Sequence, residues 1–285
     1  DEIDSGARAR WLAHLDAHAA EHGFHARLAA AHGALFTEDG ETLLVTFENA
    51  EDIRDRLSAL PYGLEVAGKE GWSQLALWSE GETWFRDPEV YAFVDDLVDD
   101  GFFDHFDHVL FHGAGPGGYA AAAFSVAAPE AIVRAIRPQA TLDPRIAGWD
   151  RRFPAARRLD FTERYGYAPA LLEGASEAIV VCDPMVLEDA MHASLFAAAG
   201  ARVLRCPHLG RRTEAELDAL GILGPMLRHA ARRRLTDPRF AELYRRRRDH
   251  PAYLRHVARH LDAQDRPWLA GIWTRAALAR VDQPG

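Results

Sequence analysis

The stretch His108-Val-Leu-Phe-His-Gly-Ala-Gly-Pro-Gly-Gly-Tyr-Ala-Ala-Ala-Ala-Phe124 sets a short apolar run, a glycine cluster and a small-residue segment in immediate succession. Glycine belongs where the backbone takes positive φ or where helix and strand approach closely, and Ala120 to Ala123 let a helix lie deep against a sheet. A strand, turn and helix joined this way direct several backbone N–H groups at one spot near the positive end of the helix dipole. The geometry suits an anion.

Five further short runs share the character of His108 to Phe111: Thr42 to Phe47, Gln74 to Trp78, Ile132 to Ile136, Ala178 to Cys182 and Arg202 to Cys206. Helical sequence separates most of them, as at Pro88 to Leu97, Tyr119 to Ala127 and Glu188 to Ala199. Unbroken apolar strands alternating with helices are the pattern of a mainly parallel sheet covered on both faces, so the fold class is α/β. Ahead of it, Trp11, Leu12, Leu15, Phe24 and Leu28 recur at helical spacing between Ala7 and Leu35, which predicts one or two amphipathic helices. Beyond Thr213 the pattern is helical, interrupted at Pro225, Pro238, Pro251 and Pro267. The expected organisation is an N-terminal helical segment over 1–38, an α/β core over 39–227 and a C-terminal helical appendage over 228–285.

With 285 residues, 48% of them hydrophobic, the chain has apolar mass for one sizeable core. Its net charge of -10 argues against a general nucleic-acid binder, which needs a concentrated basic surface. The acidic Asp95, Asp96, Asp99 and Asp100 and the basic Arg232 to Arg234 and Arg245 to Arg248 read as solvated helix faces. Cys182 and Cys206 each end a strand and form no C-x-x-C pair, so neither a disulfide framework nor a zinc ribbon is suggested. No run approaches the roughly 18 apolar residues that span a bilayer, and no basic-then-apolar leader is visible, so a cytoplasmic protein without membrane contact is expected.

The glycine turn admits three readings. As Gly113-x-Gly115-x-x-Gly118 it matches a dinucleotide fingerprint, with Asp143 a loose candidate for the ribose contact, but that fingerprint normally sits in the first strand-helix unit and here at least two strands precede it. As Gly113-x-Gly115-x-Gly117-Gly118 it is a nucleophile elbow with Gly115 at the apex. The third reading is a tight turn and nothing more.

Gly113 to Phe124, followed by Ile132-Val-Arg-Ala-Ile-Arg-Pro-Gln-Ala-Thr-Leu-Asp143-Pro, resembles α/β-hydrolase-fold proteins whose elbow reads Gly-x-Ser-x-Gly-Gly-[Tyr/Phe]-Ala-Ala. In that group the next strand also ends in Pro-Gln and leads to a loop ending Asp-Pro. Gly71-Trp-Ser and Trp84-Phe-Arg-Asp-Pro-Glu89 are similar to the segment before the elbow in the same proteins, some of them linked to polysaccharide export or modification. The resemblance extends from Leu43 to Leu227. It implies an α/β-hydrolase-like, mainly parallel sheet flanked by helices.

The resemblance also implies a triad in the order nucleophile, acid, base. The acid position falls on Asp183, although Asp183-Pro184 equally well ends a strand. The base position falls on His208 after the last strand, or on Arg211 if the small-Gly-His pattern aligns with Leu209-Gly210. The nucleophile position holds Gly115, whose side chain is a hydrogen atom and cannot attack an acyl carbon. An oxyanion site implied near Gly117 and Glu48-Asn49 is weakened by Pro116, which has no N–H where the main donor belongs. The expected ligand-contacting residues are Gly113, Gly115, Gly117, Gly118, Glu48, Asn49 and Arg211.

Other constellations read as structural. Asp104, His105, Asp107 and His108 lie on a loop and are expected to be solvated; Asp189 and His192 read as a surface pair; His256 and His260 share a helix face among arginines that disfavour a cation. Trp72, Trp78, Trp84 and Trp149 are expected to pack in the core or line a cleft. No metal or cofactor is implied.

Two functions compete. The first is a non-catalytic protein binding a small ligand or partner above the sheet; the second is a hydrolase of an acyl or carbohydrate ester with chemistry relocated to His208 and Asp183. Chains similar to this one also carry the label phosphoadenosine phosphosulfate reductase, but that family's Ser-Gly-Gly-x-Asp-Ser loop and Glu-Cys-Gly-x-His motif do not occur here.

Overall fold

The computed structural model describes residues 2–281. One sheet contains eight strands: β1 (Gly23–Leu28), β2 (His32–Thr37), β3 (Thr42–Asn49), β4 (Ser73–Ser79), β5 (His108–Ala114), β6 (Ile132–Ile136), β7 (Glu177–Cys182) and β8 (Arg202–Arg205). Their order is β1-β2-β4-β3-β5-β6-β7-β8. β2 runs antiparallel to β1 and β4, and every other pairing is parallel. The helices are α1 (Glu2–His22), α2 (Ala50–Arg54), α3 (Tyr62–Glu70), α4 (Pro88–Asp99), α5 (Pro116–Ala123), α6 (Pro144–Ala147), α7 (Leu187–Ala198), α8 (Thr213–Ala219), α9 (Leu223–Ala231), α10 (Asp237–Tyr244), α11 (Pro251–Ala263) and α12 (Pro267–Val281). This is the mainly parallel α/β sheet flanked by helices that the six apolar runs predict. Among the described residues no helix is long and apolar enough to cross a membrane.

Alternate residues of the central strands serve opposite faces, as a strand period of two requires. Val45, Phe47, Phe111 and Val133 face α4 and α5, where Ala120 to Ala123 are fully buried. Leu44, Leu110 and Ile132 face α3 and α9, packing on Val66, Leu227 and Ala230. The C-terminal helices share a core with β6 to β8, in which Ile179, Val181 and Leu204 meet Met226, Tyr244 and Leu254. Trp72, Trp78 and Trp84 are buried.

Only the first part of the segment from Ala7 to Leu35 is helical. Phe24 and Leu28 belong to β1, and His32 to Thr37 form β2, which pairs with β4 from His32–Ser79 to Thr37–Gln74. The alanines of this stretch favour helix locally, but pairing of β2 with β4 and its burial on both faces outweigh that preference. Trp11, Leu12 and Leu15 of α1 pack on Leu35 and Trp78 of the same sheet.

Asp189 and His192, expected on the surface, are buried on α7. Arg152 donates from Nη1 to Asp189 Oδ1 at 2.6 Å and from Nη2 to Asp150 Oδ2 at 2.8 Å. The Ala140 N–H donates to His192 Nδ1 at 3.1 Å, which assigns the ring proton to Nε2, 3.0 Å from Asp150 Oδ2. The network ties the long connection between β6 and β7 to α7. Burial pushes the Asp150 carboxyl up, but the hydrogen bonds from His192 and Arg152 outweigh it and hold the group well below the usual carboxylate range.

Candidate functional site

β3 leads to β4 on one side of itself and β5 leads to β6 on the other, so a crevice opens outside the carboxyl ends of β3 and β5. Open parallel sheets bind ligands at such switch points. A cleft of about 410 Å³ lies there, a volume suited to a small molecule. Phe47, Glu48 and Asn49 line it from the end of β3, His112, Gly113 and Ala114 from β5, Pro116 and Gly117 from the turn, Arg137 from beyond β6 and Glu214 from α8.

The turn is set by contacts that tolerate no side chain. A Cβ on Gly113 would lie 2.3 Å from the Gly117 carbonyl oxygen, and one on Gly117 would lie 2.2 Å from that of Phe47. Gly115 at the apex has φ 54° and ψ -119°, a conformation that L side chains rarely adopt. A Cβ on Gly115 would meet the Arg137 guanidinium, with Nη2 at 3.5 Å. A cation therefore covers the apex.

Arg137 is itself unusual. Its backbone lies in the left-handed region at φ 40°, held by an N–H bond to the Val181 carbonyl at 2.7 Å. Such a conformation costs on the order of 1–3 kcal/mol and persists only where the surroundings impose it. Among the described residues the guanidinium has no ion-pair partner within 4.0 Å, and its Nε is buried with no protein acceptor. His112 donates from Nδ1 to the Arg134 carbonyl, which leaves a lone pair on Nε2 that is buried and meets no protein donor. Burial and the nearby Arg134 charge pull this imidazole down to about 4, so the ring is neutral.

Two carboxyl groups share the cleft. Glu48 accepts from the Thr46 hydroxyl and from the Tyr62 and Gly63 N–H groups at the start of α3, and burial raises its carboxyl despite these bonds. Glu214 makes no such bonds. Burial, reinforced by Glu48, pushes it up to about 7, against the opposing pull of Arg137.

Of the expected site residues, Gly113, Gly117, Glu48 and Asn49 line this cleft, with Gly115 and Gly118 buried in the turn behind them. The side-chain oxygens of Glu48 and Asn49 serve helix starts: Glu48 caps α3, and Asn49 Oδ1 accepts the Glu51 N–H at the start of α2. Asp183, His208 and Arg211 are absent from the lining. The Asp183 carboxylate accepts from the Met185 N–H at 2.8 Å and the Gly210 N–H at 2.6 Å, so both oxygens serve the strand ends that follow β7 and β8. His208, at φ 70°, lies tilted against His260 with ring centroids 4.9 Å apart; it is close enough to feel the Asp183 charge but makes no hydrogen bond with it. Arg211 is exposed, 4.0 Å from Glu188. The acid and base positions therefore neighbour each other, each held by contacts of its own.

Arg137, His112 and Glu214 did not emerge from the sequence as site residues. A signal existed for two of them: each is a polar residue within or just beyond an apolar strand, at the carboxyl end where parallel sheets build sites. Glu214 lies on a helix with no local mark of its role.

No protein-family model matches the chain, and no curated protein matches it. Among solved structures it is similar to an esterase of the bacterial hormone-sensitive lipase family, with 16% identity over 73% of this chain and 84% of that one and a TM-score of 0.46. A carboxyl esterase from the mycorrhizal fungus Tuber melanosporum is similar at 12% identity, over 70% and 83% of the two chains, with a TM-score of 0.45. The capsule O-acetyltransferase of Neisseria meningitidis serogroup A is similar at 13% identity, over 70% and 92%, with a TM-score of 0.44. These likenesses assign no role to any residue of the cleft.

Proposed function

We propose that this chain is a hydrolase-fold protein whose nucleophile elbow has lost its nucleophile, and that it binds a small molecule without catalysing its hydrolysis. The observation that carries the reading is the pair Gly115 and Arg137. The apex has no side-chain oxygen or sulfur, and a guanidinium stands where such an atom would project. A guanidinium stays protonated and cannot accept a proton from a hydroxyl, so it offers an anion site in place of a base.

The alternative, hydrolysis relocated to His208 and Asp183, needs a water or hydroxyl between an imidazole and a substrate in the cleft. Both Asp183 oxygens are held by backbone N–H groups and the His208 ring packs on His260, which favours the binding reading. The test is a fluorophosphonate probe together with a panel of activated esters and thioesters applied to the unmodified chain. No labelling and no turnover above background are expected. Saturable turnover that disappears on His208→Ala would replace binding with relocated catalysis.

A further inference from the structure

We infer that the ligand of this cleft is amphoteric: a small molecule carrying a carboxylate, held by Arg137 at the glycine turn, and a primary ammonium, held by Glu214 and His112. This rests on the proposed binding role and names the chemistry of its ligand.

The argument starts from groups that face one space without partners. Arg137 supplies donors and no protein acceptor meets its buried Nε. His112, only 2% exposed, supplies an acceptor at Nε2 that no protein donor reaches. Glu214 lines the same cleft, makes no hydrogen bond among the described residues, and feels Arg137 electrostatically, yet the two come no closer than the 4.0 Å that would make them an ion pair. Opposite charges that share a cleft and do not meet leave room for a molecule bearing the complementary pair. A buried donor or acceptor without a partner costs about 1–3 kcal/mol, and a ligand that satisfies all three recovers that cost on binding.

The anionic group is a carboxylate rather than a phosphate because the cleft as a whole is acidic. Glu48, Asp52, Asp218 and Glu214 face it against Arg137, with Arg56 already engaged by Glu65. A planar monoanion fits the guanidinium fork and meets less repulsion than a dianion. Gly117, in the first turn of α5, lines the same cleft, and its N–H has no partner within the helix. An ammonium at the far end is favoured by the surrounding carboxylates.

The experiment is calorimetric titration of the whole chain at pH 8 with the ω-amino acids from glycine to 6-aminohexanoate, alongside the fatty acid and the alkylamine of each length. One amino acid is expected to bind at least tenfold more tightly than either single-charge analogue of its length. Arg137→Met should weaken that amino acid and the carboxylates by tenfold or more. Glu214→Gln should weaken the amino acid about as much and leave the carboxylates unchanged. Glu214 is flanked by Glu48, Asp52, Asp218 and Arg137, and its carboxylate forms as pH rises through about 7. The unmodified chain should therefore bind the amino acid more weakly at pH 5.5 than at pH 8, a readout that needs no variant. Carboxylates binding as tightly as the amino acids would overturn the inference, as would a series in which no member binds at millimolar concentration. Either failure, with the ester panel silent, removes the ligand class and leaves the non-catalytic reading standing; turnover of esters removes that reading instead.

Discussion

Arg152→Ala is expected to destabilise the protein by about 3–5 kcal/mol, the cost of breaking a buried ion pair so that its partners stay buried and charged. Asp150 and Asp189 both have fully buried side chains, and among the described residues Arg152, itself 11% exposed, is the only cation paired with either apart from His192. The imidazole cannot take over both, because its Nδ1 is committed to the Ala140 N–H. Arg152→Lys keeps the charge but not the fork that spans two carboxylates, so an intermediate loss is expected. Urea unfolding of the three chains measures this directly. A loss below about 1 kcal/mol for Arg152→Ala, the range of exposed pairs, would show that the network is solvated. Because the Asp150 carboxyl is held below its ordinary value in the folded chain, its contribution is present at neutral pH and is lost as acid protonates it.

The second large effect is expected at the glycine turn. Gly117→Ala puts a methyl group 2.2 Å from the Phe47 carbonyl oxygen, a backbone atom at the end of β3 that cannot rotate away. The cost should reach about 3 kcal/mol, the upper range for overpacking, and should also displace Glu48. Gly115→Ala is the comparison. Its methyl group has room, at 3.5 Å from Arg137, and its cost comes from the positive φ, about 1 kcal/mol. Thermal unfolding of the two variants separates close approach from backbone conformation. Equal losses would mean that helix α5 shifts freely and that the turn is less tightly set than its contacts imply.

What the sequence made readable was whatever rested on local pattern. The six parallel strands were apolar runs because helices cover the faces of the sheet they form, and the glycine turn announced itself through residues whose only shared property is a missing Cβ. β1 and β2 were hidden because the alanines in and between them suit a helix, and it is the pairing of β2 with the distant β4, and of β1 with β2, that makes them strands. The site was half readable. Glu48, Asn49, Gly113 and Gly117 follow from the turn itself. Arg137 reaches the cleft only because the Val181 carbonyl holds its backbone at positive φ, which no pattern near Pro138 encodes. Asp183 and His208 stand at the strand ends where an acid and a base belong; both Asp183 oxygens accept local N–H groups and the His208 ring lies against His260, contacts that position in the chain does not fix.

In the proposed binding role the surroundings of the apex, and not only the missing side chain, are unsuited to a triad. Gly115→Ser tests this most directly, with the variant's folding verified by circular dichroism and an activated ester supplied in a rapid-mixing experiment that reads acyl-enzyme formation. The serine hydroxyl would meet Arg137 and no imidazole that lines the cleft beyond the neutral, buried His112. No burst and no turnover above the unmodified chain are predicted. A burst of acyl-enzyme that vanishes in Gly115→Ser with His208→Ala would contradict the account, because it would place His208 within reach of the apex.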